Sequence, residues 1–343
     1  MDGALSSTGS PLVKDVGRPC EARSRVVSFE GREDEHGRDH IHAGMEESRM
    51  AIEAVTQLEI DQRVFDLYDE YCHGRLDRRQ FLLLASAVAG GLAMAQALLP
   101  RYAEAQTISF TDARIKGTYV TYPSPGGNSG QMRGYLVQPT GNGPFPVVLV
   151  IHENRGLNPY IEDVARRVAV EGFVALAPDG LFPAGGYPGN DDDGRTLQAN
   201  LDQAKLRTDM LNSAKFLKTH KFSTGKLGVT GFCWGGGTTN FLAATLGPDV
   251  QAAAPYYGAA PQPDAVPNIK AALLINYAET DEPINKMWPA YEAALKAGNK
   301  PYEMFIYPGT RHGFHNNSTP RYDATQANIA WDRTIAFFKK NLA

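Results

Sequence analysis

From Gln106 to Ala343 short apolar runs alternate with stretches whose apolar residues recur at helical spacing. The runs Gly117 to Tyr122 and Met132 to Gln138 predict an antiparallel lead-in pair, joined by the turn-rich Pro123-Ser124-Pro125-Gly126-Gly127-Asn128. Pro146 to Ile151 is apolar without interruption, as in a strand buried on both faces. Tyr160 to Glu171 reads as a helix closed by Gly172, followed by a strand at Phe173 to Ala177. Leu181 to Arg195, full of Pro, Gly and Asp, reads as a loop, and Leu197 to His220 as one long helix. Lys226 to Thr230 leads through a glycine-rich turn into a helix that ends near Leu246. Strands follow at Ala252 to Tyr257, Ala271 to Tyr277 and Tyr302 to Tyr307, with helices at Lys286 to Lys296 and Tyr322 to Asn341. There is no internal repeat. The alternation predicts an α/β domain, 106–343, with a doubly wound, mostly parallel sheet and flanking helices. In such sheets the site collects at the carboxyl ends of the strands.

The chain before this domain follows another pattern. Residues 1–76 lack a sustained apolar period and predict disorder with weak helix, the one amphipathic stretch being Glu59 to Tyr71. Met45 and Met50 offer alternative starts. Residues 77–105 then pair Arg78-Arg79 with the Ala/Gly-rich apolar run Leu83 to Leu99, and Ala103-Glu104-Ala105 has the form of a cleavage site. This is the pattern of a twin-arginine export signal, and it predicts a periplasmic product handled by the twin-arginine machinery. A retained membrane anchor is the alternative, because the run is long enough to span and the preceding segment is long.

Charge and cysteine content narrow the function. The net charge of −4 offers neither a nucleic-acid surface nor a polybasic membrane patch. The three cysteines, Cys20, Cys72 and Cys233, show no C-x-x-C or zinc spacing, and His36, His40 and His42 lie in a polar tract. No metal or organic cofactor is expected. Cleavage would leave Cys233 as the sole thiol of the mature domain, exposed to an oxidising compartment.

That thiol sits in Gly231-Phe232-Cys233-Trp234-Gly235-Gly236-Gly237, between a predicted strand and a predicted helix. The spacing is that of a nucleophile elbow with cysteine in the usual serine position. The turn strains its central residue, and glycines two before and two after relieve the collisions. The Trp234 N–H then points at a developing oxyanion at the helix start. Two further loops follow strands: Ala278-Glu279-Thr280-Asp281-Glu282 and Pro308-Gly309-Thr310-Arg311-His312-Gly313-Phe314. Nucleophile, acid, histidine is the chain order of an α/β-hydrolase triad. Cys233 is thus the candidate nucleophile, His312 its base and Asp281 the residue that orients the imidazole. Glu279 and Glu282 are rivals to Asp281. His315 is the rival to His312, its plain alternative being a histidine on the loop surface.

The loop His152-Glu153-Asn154-Arg155-Gly156 follows the Pro146–Ile151 strand. It is placed to supply the second oxyanion N–H, assigned to Asn154, and it sets Glu153 beside the nucleophile. Arg155 is a candidate for substrate binding, with Arg195 and Arg207 as further candidates. The plain alternative is a surface salt bridge between Glu153 and Arg155.

In these motifs the chain from about Gly117 onward resembles the dienelactone hydrolase family of α/β-hydrolases. The resemblance implies a Cys233–His312–Asp281 triad, with Glu153 contacting the thiol, and hydrolysis of a small-molecule ester or lactone. It also implies a carboxylate-binding arginine soon after the histidine, where this chain has Gly313-Phe314-His315-Asn316-Asn317 and no arginine before Arg321. Hydrolysis of an ester, lactone or thioester by a monomer, through an acyl-cysteine, is therefore expected on a substrate that departs from dienelactone. A general carboxylesterase, a peptidase-like hydrolase and a non-catalytic binding or redox protein using Cys233 are the alternatives.

Overall fold

In a computed structural model the described residues are 67, 76, 78–89 and 107–343. The Glu59–Tyr71 helix (residue 67 apart), the Ala103-Glu104-Ala105 site, Cys20, Cys72 and the His36–His42 cluster lie outside them. Within residues 77–105 Arg78–Ala89 forms a helix, α1, with Phe81 and Ala85 buried and Leu83 exposed. No helix among the described residues is long and apolar enough to cross a membrane.

The domain is built on an eight-stranded sheet. Its strands are β1 (Ile115–Pro123), β2 (Gln131–Pro139), β3 (Phe145–Ile151), β4 (Val174–Pro178), β5 (Ser223–Phe232), β6 (Ala252–Tyr256), β7 (Ala272–Thr280) and β8 (Tyr302–Arg311). Their order is β1-β2-β4-β3-β5-β6-β7-β8. The first two strands join antiparallel, and all the others run parallel. The chain leaves β3 for β4 on one side and returns to β5 on the other. This reversal opens a crevice at the carboxyl ends of β3 and β5, where Ile151 pairs with Gly231.

The helices α2 (Pro159–Val170), α3 (Asp191–Asn200), α4 (Gln203–Lys218), α5 (Trp234–Leu246), α6 (Glu282–Asn285), α7 (Trp288–Ala297) and α8 (Ala324–Asn341) complete the domain. Period-two alternation on β3 sends Val148 and Val150 into one core with residues of α2 and α8, such as Val164 and Trp331. Val147, Leu149 and Ile151 enter the other, with residues of α4, α5 and α7 such as Met210, Leu242 and Leu295. The sheet is thus covered on both faces, which explains why β3 reads as an unbroken apolar run.

The structure corrects the sequence reading between residues 181 and 220. Asp191–Asn200 is helical, and the long helix expected from Leu197 is divided at Leu201, which is extended at φ −75°, ψ 153°. Capping explains both changes. The Asn190 side chain accepts from the Asp193 N–H, and three aspartates favour the positive start of α3. Asp202 then caps α4 by accepting from the N–H groups of Ala204 and Lys205. Strand β8 also runs four residues beyond Tyr307, to Arg311, so His312 leaves directly from the strand end.

Candidate active site

Cys233 stands between β5 and α5 at φ 56°, ψ −115°, in the region L-residues avoid. The surrounding backbone leaves no space to relax the turn. A Cβ at Gly231 would lie 2.3 Å from the Gly235 oxygen, and one at Gly235 would lie 2.4 Å from the Ile151 oxygen. The Cys233 N–H donates to the Tyr256 oxygen at 3.1 Å, tying the elbow to β6.

The loops after β7 and β8 bring Asp281 and His312 together. The His312 Nδ1 lies 2.7 Å from Asp281 Oδ2, and both residues are buried. Cys233 and His312 line the same cavity. Burial by itself pulls the His312 pKa down, but the Asp281 carboxylate and the Cys233 sulfur outweigh it and hold the imidazole well above the ordinary histidine value. The rival acids are placed elsewhere. Glu279 is exposed and accepts from the Gly309 N–H at 2.8 Å, and Glu282 is exposed in the first turn of α6. The rival base His315 is not on the loop surface, as its plain alternative had it. It is buried, with Nδ1 2.7 Å from the Tyr160 hydroxyl and its ring stacked on Phe232 at 5.0 Å.

The loop after β3 is held by His152. Its Nε2 accepts from the Gly180 N–H at 3.2 Å, so the proton lies on Nδ1, which donates to the Glu153 oxygen at 2.6 Å. Burial lowers the His152 pKa and keeps that neutral tautomer. Glu153 is buried, and its Oε2 accepts from Asn316 Nδ2 at 2.7 Å. The Asn316 amide is oriented in turn, because its oxygen accepts from the Ser318 N–H and hydroxyl. Asn154 and Trp234 line the same cavity as Cys233 and His312.

Arg155 departs from the substrate-binding reading and from the surface salt bridge with Glu153. Its guanidinium is buried and paired with Asp191 at 2.7 Å, and it does not line the cavity. The Asp-rich start of α3, read as loop in the sequence, supplies that partner. Arg195 does not line the cavity either, whereas Arg207 does.

Asn316 and Tyr257 were not singled out by the sequence reading. The signal for Asn316 was its place in the loop after His312, where the family resemblance implies an arginine. Tyr257 is fully buried at φ 34° and lines the cavity with its ring 5.0 Å from that of His312. Burial raises its pKa well above the usual tyrosine value, and Tyr160, Glu153 and Cys233 push it the same way. Thiol and tyrosine therefore line one cavity. No group of His, Cys, Asp or Glu among the described residues is arranged to hold a metal.

A cavity of about 1010 Å³ opens over this constellation. A strained turn at a sheet reversal point, with histidine and aspartate delivered by later strands, belongs to an α/β-hydrolase fold. The model of the Dienelactone hydrolase family matches residues 132–342, and the chain belongs to that family. A second model, described as YqhI-like, matches residues 54–90. A "Putative carboxymethylenebutenolidase" of Methylorubrum extorquens is 34% identical over 281 residues, covering 74% of this chain and 92% of that protein. The "Putative hydrolase fragment YghX" of Escherichia coli is 61% identical over 112 residues, 32% of this chain and 95% of its own length. Among solved structures, the "Putative Dienelactone Hydrolase" of Klebsiella pneumoniae is 28% identical at a TM-score of 0.56, covering 65% of this chain and 99% of that one.

Proposed function

We propose that the protein hydrolyses a carboxylic ester, lactone or thioester through an acyl-cysteine intermediate. The observation that carries this reading is the buried 2.7 Å contact of His312 with Asp281, beside a Cys233 held at φ 56°. The sulfur attacks the acyl carbon, forming the S–C bond. The thiol proton passes to His312 Nε2 and then to the leaving alkoxide or thiolate as the C–O or C–S bond breaks. Water, deprotonated by the same imidazole, attacks the thioester and restores the thiol. Asp281 holds the ring through Nδ1 and stabilises its charged form. The N–H groups of Trp234 and Asn154 receive the oxyanion. Glu153, fixed by Asn316, is assigned the contact with the thiol that the family resemblance implies. The test is release of p-nitrophenol from p-nitrophenyl acetate: it is abolished in Cys233→Ala, and turnover that persisted there would reject the reading.

Export through the twin-arginine route and a monomeric state belong to the same proposal. The support for export is the Arg78-Arg79 pair ahead of an apolar run, with Ala103-Glu104-Ala105 beyond it. The exported form is expected to begin near Gln106. N-terminal sequencing of that form decides; an intact Arg78-Arg79 segment in a membrane fraction would favour the anchor.

A further inference from the structure

The cavity over Cys233 is much longer than the triad needs. It continues along the outer face of α5, where Trp234, Gly237, Phe241 and Ala244 recur at helical spacing. Ala259, Ala260, Pro261, Gln262 and Ala265 line it as well, and Leu246 lies at the far end. At a rise of 1.5 Å per residue, the groove runs about 20 Å from the nucleophile. A small acyl group would occupy its first turn only.

The charge along this groove has one sign. Its lining carries Arg207 and Lys270 and, among the described residues, no aspartate or glutamate. Arg207 projects from α4, with its guanidinium 5.4 Å from the centre of the Phe241 ring. Phe241 is two turns beyond Cys233, about 12 Å along the helix axis, and the guanidinium lies over its ring. The exposed guanidinium beside the ring presents a planar, two-pronged donor that matches a carboxylate. Lys270 is an exposed, flexible point charge further on. Near the nucleophile, Arg155 is occupied by Asp191, and the position four residues after His312 is Asn316, which is spent on Glu153.

We propose that the groove binds an ester or thioester with an extended apolar arm that ends in a carboxylate about 12 Å from the scissile carbonyl, and that Arg207 receives that carboxylate. This rests on the hydrolase reading above and adds the substrate class: half-esters of long dicarboxylic acids and compounds of the same shape. A carboxylate adjacent to the scissile bond has no place in it.

The experiment compares p-nitrophenyl half-esters of succinic and sebacic acid with their ω-methyl diesters. For succinate the charged-to-neutral ratio of kcat/KM is expected near one. For sebacate it is expected to reach about fivefold at low salt, the scale of an exposed ion pair, and to fall as salt is added. In Arg207→Gln the sebacate ratio returns to near one. A wild-type sebacate ratio of one or below, or a ratio that survives Arg207→Gln, overturns the proposal. Hydrolysis of neither these esters nor p-nitrophenyl acetate would sink the hydrolase reading instead. The groove is then tested without turnover, by protection of Cys233 from iodoacetamide. Monomethyl sebacate should protect wild type, and about fivefold more of it should be needed in Arg207→Gln. No protection, or equal protection of both forms, overturns the groove assignment.

Discussion

His312 and His315 leave the same loop three residues apart, and both are buried, yet their surroundings drive them in opposite directions. His312 meets Asp281 and Cys233, and its pKa rises well above the ordinary value. His315 is boxed by Phe232, Tyr256 and Trp331, hydrogen-bonds a neutral Tyr160, and has its pKa lowered well below that value by burial and then by Arg167. Burial alone makes a neutral packing group of an imidazole. A carboxylate within hydrogen-bond reach converts the same side chain into one that can hold and return a proton. The difference lies in the partner, and the partner is chosen by the strand that ends beside it.

The largest effect expected from this contrast is on turnover. His312→Ala and Asp281→Asn should each lower ester hydrolysis on the order of 10⁴-fold while the far-UV spectrum stays native. Glu279→Gln should change it little, since that carboxylate serves the Gly309 N–H. A harmless Asp281→Asn beside a crippling Glu279→Gln would exchange the two roles.

His315→Ala is expected to do the reverse. It removes a packed ring and leaves the Tyr160 hydroxyl unsatisfied, a loss of about 2–4 kcal/mol in stability. Chemical denaturation should show that loss, with little change in turnover per folded molecule. A collapse of kcat with unchanged stability would move His315 into the chemistry.

How far this contrast could be read from the chain depends on which interactions are local. The elbow was legible because its glycines answer a steric demand within five residues, and the parallel sheet because its strands are buried on both faces. The order Cys233, Asp281, His312 followed from strand succession. The burial of His315 was not legible, because its box is assembled from β5, β6, α2 and α8. The pairing of Arg155 with Asp191 and of Asn316 with Glu153 was hidden for the same reason: each joins segments distant in sequence. The break between α3 and α4 turned on two capping side chains, Asn190 and Asp202, within a stretch that composition marked as loop.

A smaller effect is expected behind the elbow. Glu153→Gln should let iodoacetamide alkylate Cys233 several-fold faster near neutral pH while ester turnover slows. Equal alkylation rates in the two forms would return Glu153 to a purely structural role. Smallest of all is the pH dependence of stability, where the histidines should oppose each other. The raised His312 contributes stability fully below its unfolded value of about 6.5 and loses it as pH rises through the folded value. The lowered His315 is neutral when folded, so its share is present above about 6.5 and is lost as pH falls towards its folded value. Tm against pH for His312→Gln and His315→Gln, each relative to wild type, should diverge on opposite sides of that point. Parallel curves would contradict the assignment.

Whether Cys233 carries the acyl group is decided by rapid-quench mass spectrometry with p-nitrophenyl acetate. An acetyl adduct is expected on the Cys233 peptide within the first turnover, decaying at the rate of deacylation and absent in Cys233→Ala. Sustained hydrolysis with that peptide unmodified, or with the adduct on another residue, would contradict it.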